Sequence, residues 1–485
     1  MSSPRVAVVG GGVAGLTAAH RLRRTLGPDA EILLFEQADR VGGKLRTVEL
    51  AGCRYDVGAE AFLARRSEVL DLAAELGVRA EVVHPGPSSA TIRAGGRTRQ
   101  LPGGTVMGVP AAADSVRDVL SPAGLDRLLA EAQLPPLRLD GADVSVGELL
   151  RSRVGDEVVD RLVEPLLGGV YAGSADSLGL RATIPALAAA LDAGADSVTA
   201  AAAAALPPAP TPGTPRPPVF GAFRDGYRQL FHRLLAAADV RTRLGFPVRS
   251  LARSQRGWRL EIGAAPDPTA VEVDAVVLAV PAPAARRLLS DVAPAAAERL
   301  SRVELASMIV VGFALPPGTP LPDASGVLIA RGERHADGTP FTAKAFTFSS
   351  NKWPHLRGAD GELLVRGSVG RFGEARDLRL DDAEVLRRVR ADFAELTGIT
   401  AEPVDSVVAR WGGGVPQYGV GHLDLVADVE RLVGEVPRLA LAGAALHGVG
   451  VPACVATGEA AAADVTRDLL AQQSSCGGTM EPWRA

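Results

Sequence analysis

Apolar and polar positions change period several times along the chain, and each change marks an element. Val6, Ala7, Val8 and Val9 make a continuous apolar run of strand length. Behind the glycines that follow, Leu16, Ala19, Leu22 and Leu26 recur three or four residues apart, the spacing of one helical face. Glu31 to Phe35 reads as a second buried strand ending at Glu36. Residues 115–187 are predicted to be largely helical, because Val119, Leu120, Leu125, Leu128 and Leu129, then Val158, Val159, Leu162, Val163 and Leu166, keep helical spacing. Beyond them the pattern dissolves into alanine and then proline, which predicts a mobile surface linker over 191–218. Alternation returns after it, and the apolar run Ala275 to Val280 predicts a strand rejoining the first sheet. A strand-rich stretch with one helix, Asp382 to Leu396, occupies about 300–400, and a last strand, glycine turn and long helix follow.

The first strand runs straight into Gly10, Gly12 and Gly15, a G-x-G-x-x-G turn opening a helix. Glycine suits that turn because it is tight and because a Cβ would hold the backbone away from a pyrophosphate. Free N–H groups and the positive dipole end of the helix then face the anion. Glu36 ends the second strand, where a carboxylate accepts from ribose hydroxyls. Arg40, Gly42, Gly43, Lys44 and Thr47 follow directly as R-x-G-G-K-x-x-T. A second glycine pair there suits an extended cofactor approached from two sides, which favours FAD over NAD.

Composition narrows the class without naming it. The 485 residues, 47% of them hydrophobic, provide for several lobes. A net charge of −4 from 52 basic and 56 acidic residues gives no reason to expect a nucleic-acid partner. Cys53, Cys454 and Cys476 show neither C-x-x-C nor metal-ligand spacing, so no metal site is predicted and a reducing compartment is expected. The cofactor strand begins at once, leaving no room for a signal peptide, and the expected location is the cytoplasm. The nearest thing to a transmembrane run, Leu187 to Leu206, is alanine-dominated and broken by Asp192 and Asp196, so at most a peripheral membrane contact is expected.

Six stretches carry a resemblance over nearly the whole chain: residues 55–66, 101–110, 153–187, 347–355, 410–422 and 441–462. They resemble the protoporphyrinogen oxidase family, in particular its bacterial coproporphyrinogen III oxidase branch, within the flavin amine oxidase superfamily. EPLLGGVYAG and RWGGGVPQYGVGH carry the specificity, since amine oxidases and carotenoid desaturases are similar only through the first glycine motif. The resemblance implies an α/β fold: an FAD-binding Rossmann-like domain of the amine oxidase/protoporphyrinogen oxidase type, a mixed-sheet substrate domain and a helical domain. The expected division is 1–90 with 215–285 and 405–470 for FAD, 91–110 with 286–404 for substrate, 111–190 helical, the 191–218 linker and a disordered tail at 471–485. One departure stands out: Gly443 is followed by Ala444 where many relatives carry an acidic residue on the ribityl chain.

The implied reaction is six-electron oxidation of coproporphyrinogen III to coproporphyrin III in haem synthesis, with hydride transfer from meso carbons to flavin N5, oxygen as reoxidant and hydrogen peroxide released. The alternatives are a protoporphyrinogen IX oxidase, another flavin amine oxidase or desaturase, and a non-catalytic flavoprotein scaffold. A ferrochelatase is the expected recipient of the product. No side chain is assigned as a catalytic acid or base, because an electron-rich methylene bridge donates hydride readily and the flavin accepts it. Implied cofactor contacts are Gly10, Gly11, Gly12, Val13, Ala14, Gly15, Glu36, Gln37, Gly43, Lys44, Gly58, Ala59, Glu60, Ala61, Val248, Trp411, Gly443, Val449, Gly450 and Val451. The substrate, an apolar ring with carboxylate arms, calls for apolar walls and a few cations. Candidate walls are Leu166, Leu167, Gly168, Gly169, Val170 and Tyr171; candidate carboxylate binders are Arg65, Arg66, Lys352 and Arg371. His355, His422 and His447 read better as structural than as flavin-tuning residues.

Overall fold

A computed structural model describes residues 3–208, 217–255, 257–374 and 376–476. Strand Arg5–Val9 lies at the centre of a five-stranded parallel sheet, between Glu31–Glu36 and Ala275–Leu278, with Arg241–Leu244 and Leu439–Leu441 at the edges. Both faces are covered, which is why the inner strands are continuously apolar rather than alternating. On one face pack helices Val13–Leu26, Arg228–Ala238 and Val451–Cys476, through Leu16, Leu22, Leu230, Leu234, Val455 and Val465. On the other lie the antiparallel ribbon 248–273 and helices Ala282–Leu289 and Pro294–Leu300.

The second sheet has seven strands, in the order Asp405–Pro416, Leu305–Leu315, Leu363–Val369, Ala343–Thr347, Gly326–Ile329, Ala90–Ala94, Arg97–Gln100. Helix Asp382–Thr397 covers its outer face with Val385, Val389 and Phe393. Asp381 starts that helix by accepting from the Glu384 N–H. The inner face turns toward the cofactor unit and the helical lobe. That lobe has its own core, including Leu150, Val158, Leu162 and Leu187. No described helix is long and apolar enough to cross a membrane.

Four expected boundaries are corrected. The alanine-rich part of the 191–218 linker is a helix, Val198–Ala205. Ser197 caps it and the buried Glu131 carboxylate accepts from the N–H groups of Val198 and Thr199, while Ala201 and Ala202 are small enough to pack closely in the helical lobe. The proline-rich part, 209–216, lies outside the described residues. The tail expected from 471 begins as helix, since Val451–Cys476 runs through it; 477–485 are outside the described residues. Residues 405–416 belong to the seven-stranded sheet, paired with Leu305–Leu315, and not to the cofactor unit. Helices 282–289 and 294–300 pack beneath the cofactor sheet and not in the substrate sheet.

Candidate functional site

A cleft of about 380 Å³ opens at the carboxyl ends of the parallel strands, where ligands bind in open α/β sheets. Two glycine loops form its floor. Gly10 donates to the Phe35 carbonyl at 2.8 Å, and its φ of +106° favours glycine; a Cβ there would lie 2.3 Å from the Ala279 carbonyl oxygen. Gly42 donates to the Gly11 carbonyl at 2.8 Å, clamping the second glycine motif onto the first. A Cβ on Gly12 would meet nothing, so that position faces open cleft, and no side chain caps the helix that begins at Val13. Its leading N–H groups are therefore available to an anion.

Electrostatics at the floor agree with a pyrophosphate. Lys44 lines the cleft, burial depresses its ammonium below the ordinary lysine range, and no described carboxylate pairs with it. Cys454 faces the same cleft, and burial pushes its thiol up to about 11, so it provides no thiolate counterion at neutral pH. Glu36 accepts from the N–H groups of Gly11 at 2.7 Å and Ala38 at 2.8 Å, holding its carboxylate at the ribose end. The residues present fit an elongated dinucleotide: hydroxyl acceptor, anion loop and lysine lie along one channel.

Of the expected cofactor residues, Gly10, Gly12, Val13, Ala14, Glu36, Gln37, Gly43, Lys44, Ala59, Val248, Gly443, Val449 and Val451 line this cleft. Gly11, Gly15 and Gly58 are buried outside its lining, and Gly450 is exposed between the lining residues Val449 and Val451. Gly15 is a packing glycine, since a Cβ would sit 2.0 Å from the Gly10 carbonyl oxygen, and Gly58 would meet the Lys44 carbonyl at 2.1 Å. Three more of the expected residues lie outside the cleft lining. Trp411 donates its indole N–H to the Val57 carbonyl at 2.8 Å and packs beside Tyr55 and Ala409, while Gly412 and Gly413 line the cleft in its place. Pairing jumps there from Met308–Trp411 to Ala306–Val415, so Gly412–Gly414 loop out of the sheet. Glu60 turns away and accepts from Lys352 Nζ and Trp353 Nε1, both at 2.8 Å; these bonds and Arg366 outweigh burial and hold its carboxyl below the usual range. Ala61, next along, is outside the cleft lining.

At the departure Ala444 lines the cleft, and side chains brace its backbone from behind. Gly443 donates its N–H to Thr457 Oγ1 at 3.0 Å, and the Tyr418 hydroxyl donates to the Ala444 carbonyl at 2.6 Å. Tyr418 stacks on His422, which bonds the Leu446 carbonyl, so His422 supports the 443–449 turn from behind. His447 pairs with Glu430 at the surface, and His355 packs edge-on against Trp353.

Among the substrate candidates, Gly168, Gly169, Val170 and Tyr171 end helix Glu164–Tyr171, with Ala172 in the left-handed region. A Cβ on Gly169 would meet nothing, so the helix end borders open space. Tyr171 lies 5.7 Å from the Tyr418 ring, and Gln417 donates to the Tyr171 carbonyl. Thus residues 164–173 and 410–422, distant in sequence, meet beside the cleft. The expected carboxylate binders separate: Arg65 and Arg66 are exposed, with Arg66 on Glu68, and Lys352 is occupied by Glu60. Only Arg371 remains near the helix end, half-buried and, among the described residues, without an ion pair. Sequence reasoning missed Phe246 and Arg287 at the ribose end of the cleft and Lys344 beneath Gly168. For Lys344 a signal existed, a lysine inside an apolar strand.

Residues 13–466 match the family described as flavin containing amine oxidoreductase. Coproporphyrinogen III oxidase of Mycobacterium tuberculosis H37Rv is 43% identical over 468 residues, 96% of this chain and 98% of the relative. The enzyme of the same name from Bacillus subtilis is 29% identical, covering 96% and 98%. A crystal structure of a candidate protoporphyrinogen oxidase from Exiguobacterium sp. 255-15 superposes with a TM-score of 0.83 at 30% identity, covering 96% of this chain and 99% of that one. The chain belongs to the flavin-containing amine oxidoreductase family and is an FAD-dependent oxidoreductase.

Proposed function

We propose that this flavin oxidoreductase oxidises coproporphyrinogen III to coproporphyrin III, removing six electrons in two-electron steps and releasing hydrogen peroxide. The observation that carries the reading is the meeting of residues 164–173 and 410–422 at the mouth of the cofactor cleft, through the Tyr171–Tyr418 ring pair and the Gln417 bond to Tyr171. The full-length likeness to proteins named coproporphyrinogen III oxidase supports it. Bound FAD supplies the two-electron acceptor that oxygen regenerates.

The chain's own part is binding and positioning. Glu36 is placed to accept from ribose hydroxyls, and the Gly10–Gly15 loop, the helix start at Val13 and Lys44 to hold pyrophosphate. The 443–451 turn, braced by Tyr418 and Thr457, presents backbone to the ring end of the cleft. The open end of helix 164–171 gives the macrocycle a wall that lacks side chains at Gly168 and Gly169. A meso methylene between pyrroles is a good hydride donor, so positioning suffices without a dedicated base.

The test is porphyrin fluorescence appearing in air when the purified FAD-loaded protein meets coproporphyrinogen III or protoporphyrinogen IX, beside a protein-free control. Acceleration with peroxide formation is expected, faster with the former. A faster rate with protoporphyrinogen IX moves the substrate to the two-propionate ring. No acceleration with either defeats the reading. The product is reactive, which makes a ferrochelatase the fitting recipient; kinetics of each enzyme unaltered by the other would count against hand-off.

A further inference from the structure

The seven-stranded sheet carries an irregularity beside the open helix end. Ala343 pairs with Val369 and Ala345 with Ser368, so Lys344 is an extra residue, a β-bulge in strand 343–347. Bulges re-aim side chains and cluster beside active sites. Ala343 and Phe346 pack in the outer core under helix 382–397, whereas Lys344 reaches the other way and donates to the Gly168 carbonyl at 3.0 Å. That carbonyl already accepts from the Ala172 N–H, and Ala172 sits at a φ of +50°, unusual for a residue with a Cβ. A bulge and a left-handed alanine therefore meet at one point.

Three basic side chains gather at that point, and Lys344 has no carboxylate partner among the described residues. Lys344 is 4% exposed, and the charges acting on it are those of Arg371 and Arg366. Among the described residues none of the three joins an ion pair. Arg366 donates to the Asp56 and Gly58 carbonyls, and Arg371 makes one long bond, 3.3 Å, to the Ile329 carbonyl. The acidic groups acting on Arg371 are Glu164 and Glu374, both beyond ion-pair reach of it; Glu164 accepts from the Ala175 N–H and pairs with Arg331. A buried cation costs several kcal/mol unless an anion meets it.

We propose that the buried Lys344 and the half-buried Arg371, with Arg366 beside them, form an anion site that takes one carboxylate arm of the substrate. The proposal rests on the porphyrinogen reading above and adds the residue that registers the ring. Arg366 links the site to the Gly58 turn and Lys344 links it to Gly168, so an arm held there lies between cofactor turn and ring wall. Burial together with the two arginines pulls the Lys344 ammonium down to about 7, leaving it ready to take up a proton as a carboxylate arrives.

The test titrates the FAD-loaded protein with coproporphyrin III and with its tetramethyl ester, followed by porphyrin fluorescence, for wild type, Lys344→Met and Arg371→Met. Each variant is expected to weaken binding of the acid by at least about thirtyfold and to bind the ester like wild type. Ligand-free Lys344→Met is expected to melt higher than wild type at neutral pH, because the cost of burying an unpaired lysine amine has gone. A lower melting temperature with acid and ester equally affected makes Lys344 a structural donor and overturns the proposal. Unchanged acid binding in both variants also overturns it while leaving the porphyrinogen reading intact. Wild type that binds neither porphyrin removes both. If Lys344→Met does not fold, Arg371→Met decides alone.

Discussion

Gly458 tests whether cofactor affinity depends on how closely two helices approach. It lies inside helix Val451–Cys476, where that helix crosses Val13–Leu26. A Cβ at Gly458 would stand 2.3 Å from the Ala14 carbonyl oxygen, 3.1 Å from its carbon and 3.2 Å from Thr17 Cβ. Ordinary C···O contact needs about 1 Å more, and a backbone carbonyl inside a helix cannot swing aside as a side chain can. Alanine gains about 1 kcal/mol of helix propensity, against an overpacking cost of about 1–3 kcal/mol. A net loss of up to about 2 kcal/mol is expected for Gly458→Ala, toward the upper end because the clash is with backbone. Because Ala14 lines the cleft, the separation also displaces the anion loop. FAD affinity should fall about tenfold, worth about 1.4 kcal/mol. The assay is FAD titration of apoprotein by flavin fluorescence, with a melting curve of each holoprotein. Gly434→Ala is the control: its Cβ would meet nothing, so it should hold affinity and melt slightly higher. Gly458→Ala behaving like that control would refute the close-approach argument.

Glu36→Gln leaves an acceptor for one N–H but removes the charge shared between Gly11 and Ala38; FAD binding should weaken by about ten- to thirtyfold, measured by the same titration. Asp56 is pushed up to about 7, by burial above all, despite the Thr47 hydroxyl bond. Its folded pKa lies above the unfolded value, so wild type loses stability as pH rises between about 4 and 7. Asp56→Asn should then gain about 2 kcal/mol over wild type at pH 8 and almost nothing at pH 4, and denaturant midpoints that differ equally at both would contradict it. Tyr418→Phe loses the 2.6 Å bond to the Ala444 carbonyl; with His422 stacking intact, a stability loss of about 1 kcal/mol and a shifted flavin absorption band are expected in the holoprotein.

Legibility in the sequence followed the range of the interactions. The Gly10–Gly15 loop, its helix and Glu36 could be read because strand, turn and helix are contiguous and each residue acts on near neighbours. Helix 382–397 was read to within one residue, because a helix is set by near neighbours along the chain. Membership of a sheet is different. Nothing local in residues 405–416 says which sheet they join, and only pairing with 305–315 places them outside the cofactor unit. Helix 198–205 was hidden for a related reason: alanine runs form a stable element only against a partner, here Glu131 and the helical lobe.

The same division holds for the site. Sequence alone determined that a dinucleotide is bound and by which loop, since the geometry of a phosphate turn is set within a few residues. Tertiary structure decided which charges are free. Lys352 and Glu60 stand 292 residues apart yet neutralise each other, while Lys344 is left buried without a carboxylate. A cation's availability depends on what the folded chain places within about 4 Å of it, and no local pattern records that distance.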